Sequence, residues 1–178
     1  FELQTGTFVA GNSLGSVNGS STANTITFTG ASGASDTLVQ ISLSGASNVI
    51  LDDLFIYNMS SDGVVLNETD NVTISNSTIQ VTTTSTSTLA GMPIASRSGQ
   101  YYYNGSSESN LTIVNNELIG GYYGISLYGS SMNRSSNVHV SDNTFSLQYY
   151  YGVNLSYTDG VTFNNNTVSG FRSSSAYG

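Results

Sequence analysis

The amino-acid sequence reads as an all-β solenoid, a stack of coils with three short strands apiece. Apolar and polar residues alternate in short runs such as Val138-His139-Val140 and Val153-Asn154-Leu155, which is the period of a half-buried strand. These runs come in sets of three, and neighbouring sets lie 23 or 27 residues apart over most of the chain. A period in that range is the mark of a repeat architecture. No helical period separates the runs, so the strands connect through corners.

The first strand of each set begins at Val49, Val72, Leu111, Val138 or Val161, and the next inward position is Leu51, Ile74, Ile113, Val140 or Phe163. Seven residues after each start comes the second strand, at Ile56, Ile79, Leu118, Phe145 or Val168. Between the two, four residues after each start, stands Asp53, Asn76, Asn115, Asp142 or Asn165. Asn and Asp tolerate the left-handed backbone that a tight corner demands. The third strand reads Val64-x-Leu66, Met92-x-Ile94, Ile125-x-Leu127 and Val153-x-Leu155, with Gly63, Gly91, Gly124 and Gly152 ahead of it, expected to serve a second corner. Upstream, Ile26-x-Phe28 fits a first strand and Ile41-x-Leu43 a third. The 39 residues from Val72 to Leu111 hold insertions at 81–89 and 96–109. The whole chain, 1–178, is thus expected to be one domain of roughly seven coils.

Composition narrows the function. The chain has 32 Ser, 20 Thr and 19 Asn, a net charge of −8, no lysine and only Arg97, Arg134 and Arg172 as bases. Nucleic-acid binding needs clustered cations, so that class is excluded as a partner. There is no cysteine for disulfides or thiolate metal sites, and no apolar run of the ~20 residues a membrane helix needs.

Segments such as Asn71–Ile79 (NVTISNSTI) and Asn137–Phe145 (NVHVSDNTF) resemble the repeats of right-handed parallel β-helices, the pectin-lyase-like superfamily. The likeness is to the Asn/Ser/Thr-rich type found in bacterial and archaeal surface proteins, and it covers Ser47–Gly170 best. It implies a right-handed, single-stranded parallel β-helix. It leaves function open, because the fold serves lyases, hydrolases, tailspikes, adhesins and structural proteins alike. Members that cut polysaccharide use an Arg or Lys base with Ca²⁺ held by acids, or grouped Asp. Here the arginines are scattered, and Asp52-Asp53 is the only adjacent acidic pair, with Asp53 in the corner column. Neither catalytic nor cofactor-binding residues are assigned. His139 takes an outward strand position and reads as a surface residue. Asp62, Asp70 and Asp159 read as solvated corners. Ca²⁺ wants six to eight oxygens and is the only metal worth considering there; no metal site is assigned.

Two sets of residues point outward. Asn-x-Ser/Thr occurs ten times. Asn71 and Asn110 read as corners, while Asn18, Asn58, Asn67, Asn76, Asn104, Asn133, Asn154 and Asn165 are candidate N-glycan acceptors. Tyr123, Tyr151 and Tyr177 each precede a glycine and form a candidate surface aromatic column, suited to sugar rings, to a neighbouring protein, or to cross-coil stacking that only stabilises the helix.

The ends supply the remaining expectation. Tyr177-Gly178 repeats the Tyr-Gly that elsewhere leads into a third strand, and Phe1-Glu2-Leu3 has the apolar-polar-Leu form of the strand that should follow. Val9 lies six residues beyond Leu3, the step between a third strand and the next coil. The subunit junction is therefore expected at Phe1, Glu2, Leu3, Tyr177 and Gly178, with copies stacked head to tail as a homopolymer. The expected role is a non-enzymatic structural protomer of an extracellular filament, sheath or matrix fibre at the cell surface, secreted, processed and glycosylated. The alternative is a β-helix that binds or degrades external polysaccharide, or an adhesin.

Overall fold

The computed structural model describes residues 7–8, 12–30, 37–84, 86–87, 91–98 and 105–173. In chain order the strands are β1 (Thr7–Phe8) and β2 (Asn12–Leu14), followed by the coil of β3 (Ile26–Thr29), β4 (Thr37–Leu38) and β5 (Ile41–Ser44). The next coils are β6 (Ser47–Asp52), β7 (Phe55–Asn58), β8 (Val64–Asn67), and β9 (Asp70–Ser75), β10 (Thr78–Val81), β11 (Ile94–Ser96). Then come β12 (Ser109–Val114), β13 (Glu117–Ile119) and β14 (Tyr123–Tyr128), and β15 (Ser135–Ser141), β16 (Thr144–Ser146) and β17 (Tyr151–Ser156). The last described strands are β18 (Thr158–Asn164) and β19 (Thr167–Ser169).

Every pairing between these strands is parallel and joins a strand to its counterpart one coil away. Three sheets result, of six first strands, seven second strands and six third strands; the described residues make five complete coils with a partial coil on either side, fewer than the roughly seven expected. The inward columns are those read from the alternation. Val49, Val72, Leu111, Val138 and Val161 are in one register, and Ile56, Ile79, Leu118, Phe145 and Val168 in another. Leu51, Leu66, Ile74, Ile79, Leu111, Ile113 and Leu127 are wholly buried. At roughly 1.5–3 kcal/mol per large apolar side chain, these columns supply most of the driving force for folding.

The corner between first and second strands is left-handed as expected. Asp53, Asn76, Asn115, Asp142 and Asn165 have φ between 51° and 58°. A second left-handed column lies within the first strands, one residue before their first inward position, at Asn48, Asn71, Asn110 and Asn137, with Gly160 completing it. Outward amides tie neighbouring coils together: Asn115 Nδ2 donates to Asn76 Oδ1 (2.7 Å), and Asn137 Nδ2 to Asn110 Oδ1 (2.7 Å).

An inward ladder at the residue after each corner is absent from the sequence reading. The Asn143 N–H donates to Asn166 Oδ1, the Asn116 N–H to Asn143 Oδ1, the Ser77 N–H to Asn116 Oδ1 and the Leu54 N–H to Ser77 Oγ, all at 2.9–3.0 Å. Each side chain thus satisfies a buried backbone donor one coil away, which would otherwise cost about 1–3 kcal/mol.

Several details differ from expectation. The third strand of the inserted coil is not Met92-x-Ile94: Ile94 pairs with Val64 and Ile125, and Ser96 with Leu66 and Leu127. The insertion shifts the phase by two residues, so Pro93 rather than Gly91 precedes this strand, and its carbonyl accepts the Val64 N–H. Further, Gly63, Gly124 and Gly152 are not among the residues with positive φ. Space selects them instead, since a Cβ on Gly124 would lie 2.6 Å from both the Gly152 carbonyl oxygen and the Phe145 ring.

Near the N-terminus, Thr7–Phe8 pairs with Thr37–Leu38 in the sheet of second strands, whereas the step from Leu3 to Val9 expects a first strand there. A lone short run carries too little pattern to fix its phase. Phe1, Glu2, Leu3, Val9, Tyr177 and Gly178 lie outside the described residues.

Candidate functional site

The charged and aromatic residues fall into separate environments on the coils. Asp52 and Asp53 diverge: Asp52 Oδ1 accepts from Ser75 Oγ and Asn76 Nδ2 (both 2.7 Å), while Asp53 is a left-handed corner. His139 takes the outward position in β15, in register with Thr112 and Thr162. Asp70 accepts from Asn110 Nδ2 at 2.8 Å. Among the described residues no three His, Asp or Glu side chains converge as metal ligands.

Asp62 is not a solvated corner. It is fully buried, its Oδ1 accepts the Met92 N–H at 2.9 Å, and its carboxylate pairs with Arg97. The guanidinium, itself almost buried, has its pKa pushed down by desolvation. A buried ion pair of this kind fixes the inserted coil in place, because either partner alone would be stranded. Glu108 is the second buried carboxylate, a residue the sequence reading passed over. Its Oε2 accepts from the Thr69 N–H (2.7 Å) and the Thr69 hydroxyl, and its Oε1 from Ser96 Oγ (2.9 Å) and Ser106 Oγ (2.8 Å).

The other two arginines also hold corners. Arg134 donates through Nε and Nη2 to the two oxygens of Asp159 (2.6 and 2.8 Å) and lies over the Tyr157 ring. Those hydrogen bonds raise the Arg134 pKa and lower that of Asp159. Arg172 donates to the carbonyls of Leu147 (2.7 Å) and Gly121 (3.0 Å) and covers the Tyr149 ring, 5.6 Å from its centroid.

Tyr123 and Tyr151 are in register and stack with centroids 5.9 Å apart and planes 6° from parallel, but Tyr123 is buried and Tyr151 half-buried, so this pair is a cross-coil stack rather than an exposed surface column. Tyr177 lies outside the described residues. The cluster is larger than the column read from sequence: Tyr122 stacks on Tyr150 (5.6 Å) and meets Tyr149 (5.4 Å). The doublet Tyr122-Tyr123 and triplet Tyr149–Tyr151 were the available signal. A hydrogen bond with Tyr151 holds the Tyr150 phenol above its ordinary pKa. Beneath them Met92 and Ala95 complete a small apolar cluster separate from the interior core.

The sequons divide by environment. Asn18, Asn76, Asn133 and Asn165 are exposed, Asn67 and Asn154 are half-buried, and Asn58 is buried with its Nδ2 on the Asp62 carbonyl. Asn104 lies outside the described residues.

The coil formed by β17, β18 and β19 differs from those behind it. Val161, Phe163 and Val168 are 39%, 45% and 40% exposed, although they continue columns that are wholly buried at Val138, Val140 and Phe145. Phe163 packs one face towards Phe145, with centroids 6.4 Å apart. Beside them, Val153 and Leu155 are only partly buried.

The family model for the right-handed β-helix region matches residues 4–168. The chain belongs to the right-handed β-helix family. No curated protein and no solved structure matches it. This right-handed β-helix is therefore a repeat protein of the pectin-lyase-like kind, a family whose members include enzymes and non-enzymes. Among its described residues no helix is long and apolar enough to cross a membrane.

Proposed function

We propose that this β-helix is a structural extracellular protein whose copies stack end to end into a surface filament, sheath or matrix fibre. The observation that carries the reading is the uncovered face of β17–β19, where Val161, Phe163 and Val168 continue the core columns with no further coil over them among the described residues. Unpaired strand edges with apolar side chains are what another coil completes. Charge supports the same reading. Residues 12–30 carry no ionisable side chain, and the one acid in residues 158–170, Asp159, is neutralised by Arg134. Coils at both ends of the described stack can thus approach despite the net charge of −8.

Magnitudes indicate what holds such a joint. Covering the remaining exposed part of three apolar side chains contributes roughly 2–4 kcal/mol. That is less than the ~4–15 kcal/mol that association costs. Ladder hydrogen bonds at about 0.5–1.5 kcal/mol each, on the order of ten across three strand edges, supply the rest. A head-to-tail contact of this geometry does not close, so it propagates as a fibre.

Sedimentation velocity and negative-stain electron microscopy of the purified protein test the reading. Concentration-dependent polymers one β-helix wide are expected, and Val161→Glu with Phe163→Glu should abolish them while leaving the far-ultraviolet spectrum unchanged. Monomers of the parent protein at all concentrations would overturn it.

A second reading, binding of external polysaccharide, draws on the corner formed by Tyr122, Tyr149, Tyr150 and Arg172, where half-exposed rings stand together. Retention on immobilised neutral and acidic polysaccharides, weakened by Tyr150→Ala, would favour it over the structural role. Absence of retention on both would remove it.

A further inference from the structure

We infer that Asn18 is a site of spontaneous, backbone-assisted deamidation, a modification chemistry independent of any partner. Asn18-Gly19 occupies the centre of a turn in which the Ser20 N–H donates to the Val17 carbonyl at 3.3 Å. Gly19 has φ +90°, the left-handed value that the third residue of a type II turn requires and that glycine adopts without cost. Nothing lies within 4 Å of the place a Cβ would occupy. Both residues are exposed, and among the described residues neither the Asn18 amide nor the Gly19 N–H has a hydrogen-bond partner. The nucleophile, the electrophile and the room to bring them together are all present.

The step balances without a co-reactant other than water. The Gly19 backbone nitrogen gives up its proton and attacks Asn18 Cγ. A nitrogen–Cγ bond forms, the Cγ–Nδ2 bond breaks, and Nδ2 leaves as ammonia. The resulting five-membered imide is opened by water at either carbonyl. One opening gives aspartate, and the other gives isoaspartate, in which the main chain runs through the former side chain. Either product adds one negative charge.

The corner asparagines lack this freedom. The N–H following Asn76 donates to Asn116 Oδ1 and the N–H following Asn115 to Asn143 Oδ1, so the nitrogen that would attack is held in the inner ladder. Two acid–glycine pairs are also restrained. Asp62-Gly63 is buried, with the Gly63 N–H on the Met92 carbonyl, and Asp159 is clamped by Arg134. Asn18 is also the first residue of the sequon Asn18-Gly19-Ser20. A glycan would use the same Nδ2 that leaves as ammonia, so glycosylation and deamidation exclude each other at this position.

The test is a time course at mildly alkaline pH on the intact protein and on the same chain unfolded in urea, mapped by peptide mass spectrometry. Asn18 is expected to convert to a mixture of aspartate and isoaspartate at closely similar rates in both states. Asn76 and Asn115 are expected to be slowed on the order of 100-fold or more in the folded chain, because local opening must precede attack. Asn18→Gln should remove the conversion from its peptide. The inference is overturned if Asn18 stays amidated in the folded protein while converting in urea, or if Asn76 and Asn115 convert as fast as Asn18 in the folded state.

Discussion

Replacing Glu108 by glutamine exchanges one carboxylate oxygen for an amide nitrogen at the centre of four donors. The Thr69 N–H is backbone and cannot turn away, so the retained oxygen must stay on the Thr69 side. The new NH₂ then faces Ser96 and Ser106, whose hydroxyls must rotate to accept. Ser106 Oγ already accepts the Glu68 N–H at 2.6 Å and its proton loses the carboxylate as acceptor, whereas the single Ser96 hydroxyl proton can turn wholly to the Ser106 carbonyl. Hydrogen bonds to a charged acceptor are worth about 1.5–3 kcal/mol and those to a neutral one about 0.5–1.5 kcal/mol. The loss of charge assistance, partly recovered by the turned hydroxyls, gives a destabilisation of roughly 2–4 kcal/mol for Glu108→Gln. Glu108→Ala leaves the Thr69 N–H unsatisfied beside a cavity, for roughly 4–5 kcal/mol. Urea unfolding followed by far-ultraviolet circular dichroism measures both. A Glu108→Gln variant within about 0.5 kcal/mol of the parent, the range of an ordinary surface substitution, would refute the role of this carboxylate as a buried acceptor.

Further outcomes follow from the ladders and the clamps. Asn143→Ala removes an acceptor for the Asn116 N–H and the donor that reaches the Ile113 and Ser141 carbonyls, and should cost about 2–4 kcal/mol in the same unfolding assay. Asp142→Asn, one residue earlier at an exposed left-handed corner that Asn fills elsewhere, should be near neutral there. Arg134 holds the Asp159 carboxyl below the usual carboxylate pKa by hydrogen bonding. A depressed folded pKa contributes stability above the unfolded value and loses it as pH falls through the folded one. NMR titration should therefore place Asp159 below the usual carboxylate range, and Arg134→Ala should return it to that range with only a small change in stability, since the pair is exposed.

The coil itself was legible because its determinants are local and repeated. Val49, Val72, Leu111, Val138 and Val161 announce a register that depends only on alternation, and a corner asparagine announces its own backbone conformation. The inner ladder was hidden by its variety. Leu54, Ser77, Asn116, Asn143 and Asn166 share a position but not a residue type, and only in the stacked coils does each N–H meet its acceptor. The phase of the inserted strand was obscured because Met92-x-Ile94 has the expected pattern two residues early, while the true partner of Leu66 is Ser96, a polar residue turned inward to Glu108. Asp62 looked like a corner acid for a similar reason: its partner Arg97 is 35 positions away, and no local pattern connects them. Of the candidate site, the paired tyrosines were visible as doublets, whereas the exposure of Val161, Phe163 and Val168 could not be read from their own alternation, which matches that of the buried coils.

The constancy of one corner has a consequence for where this molecule can change. From β6 onward, first and second strands are always joined by two residues, one left-handed and one feeding the inner ladder. Earlier in the chain, β3 ends at Thr29 and β4 begins only at Thr37, a longer connection at the same edge. The laddered stretch is therefore a spine of fixed pitch, intolerant of added length, while the two remaining edges are open margins. New loops, tags or binding segments can be grafted there without disturbing the rise from coil to coil, as the chain has already done between β10 and β12.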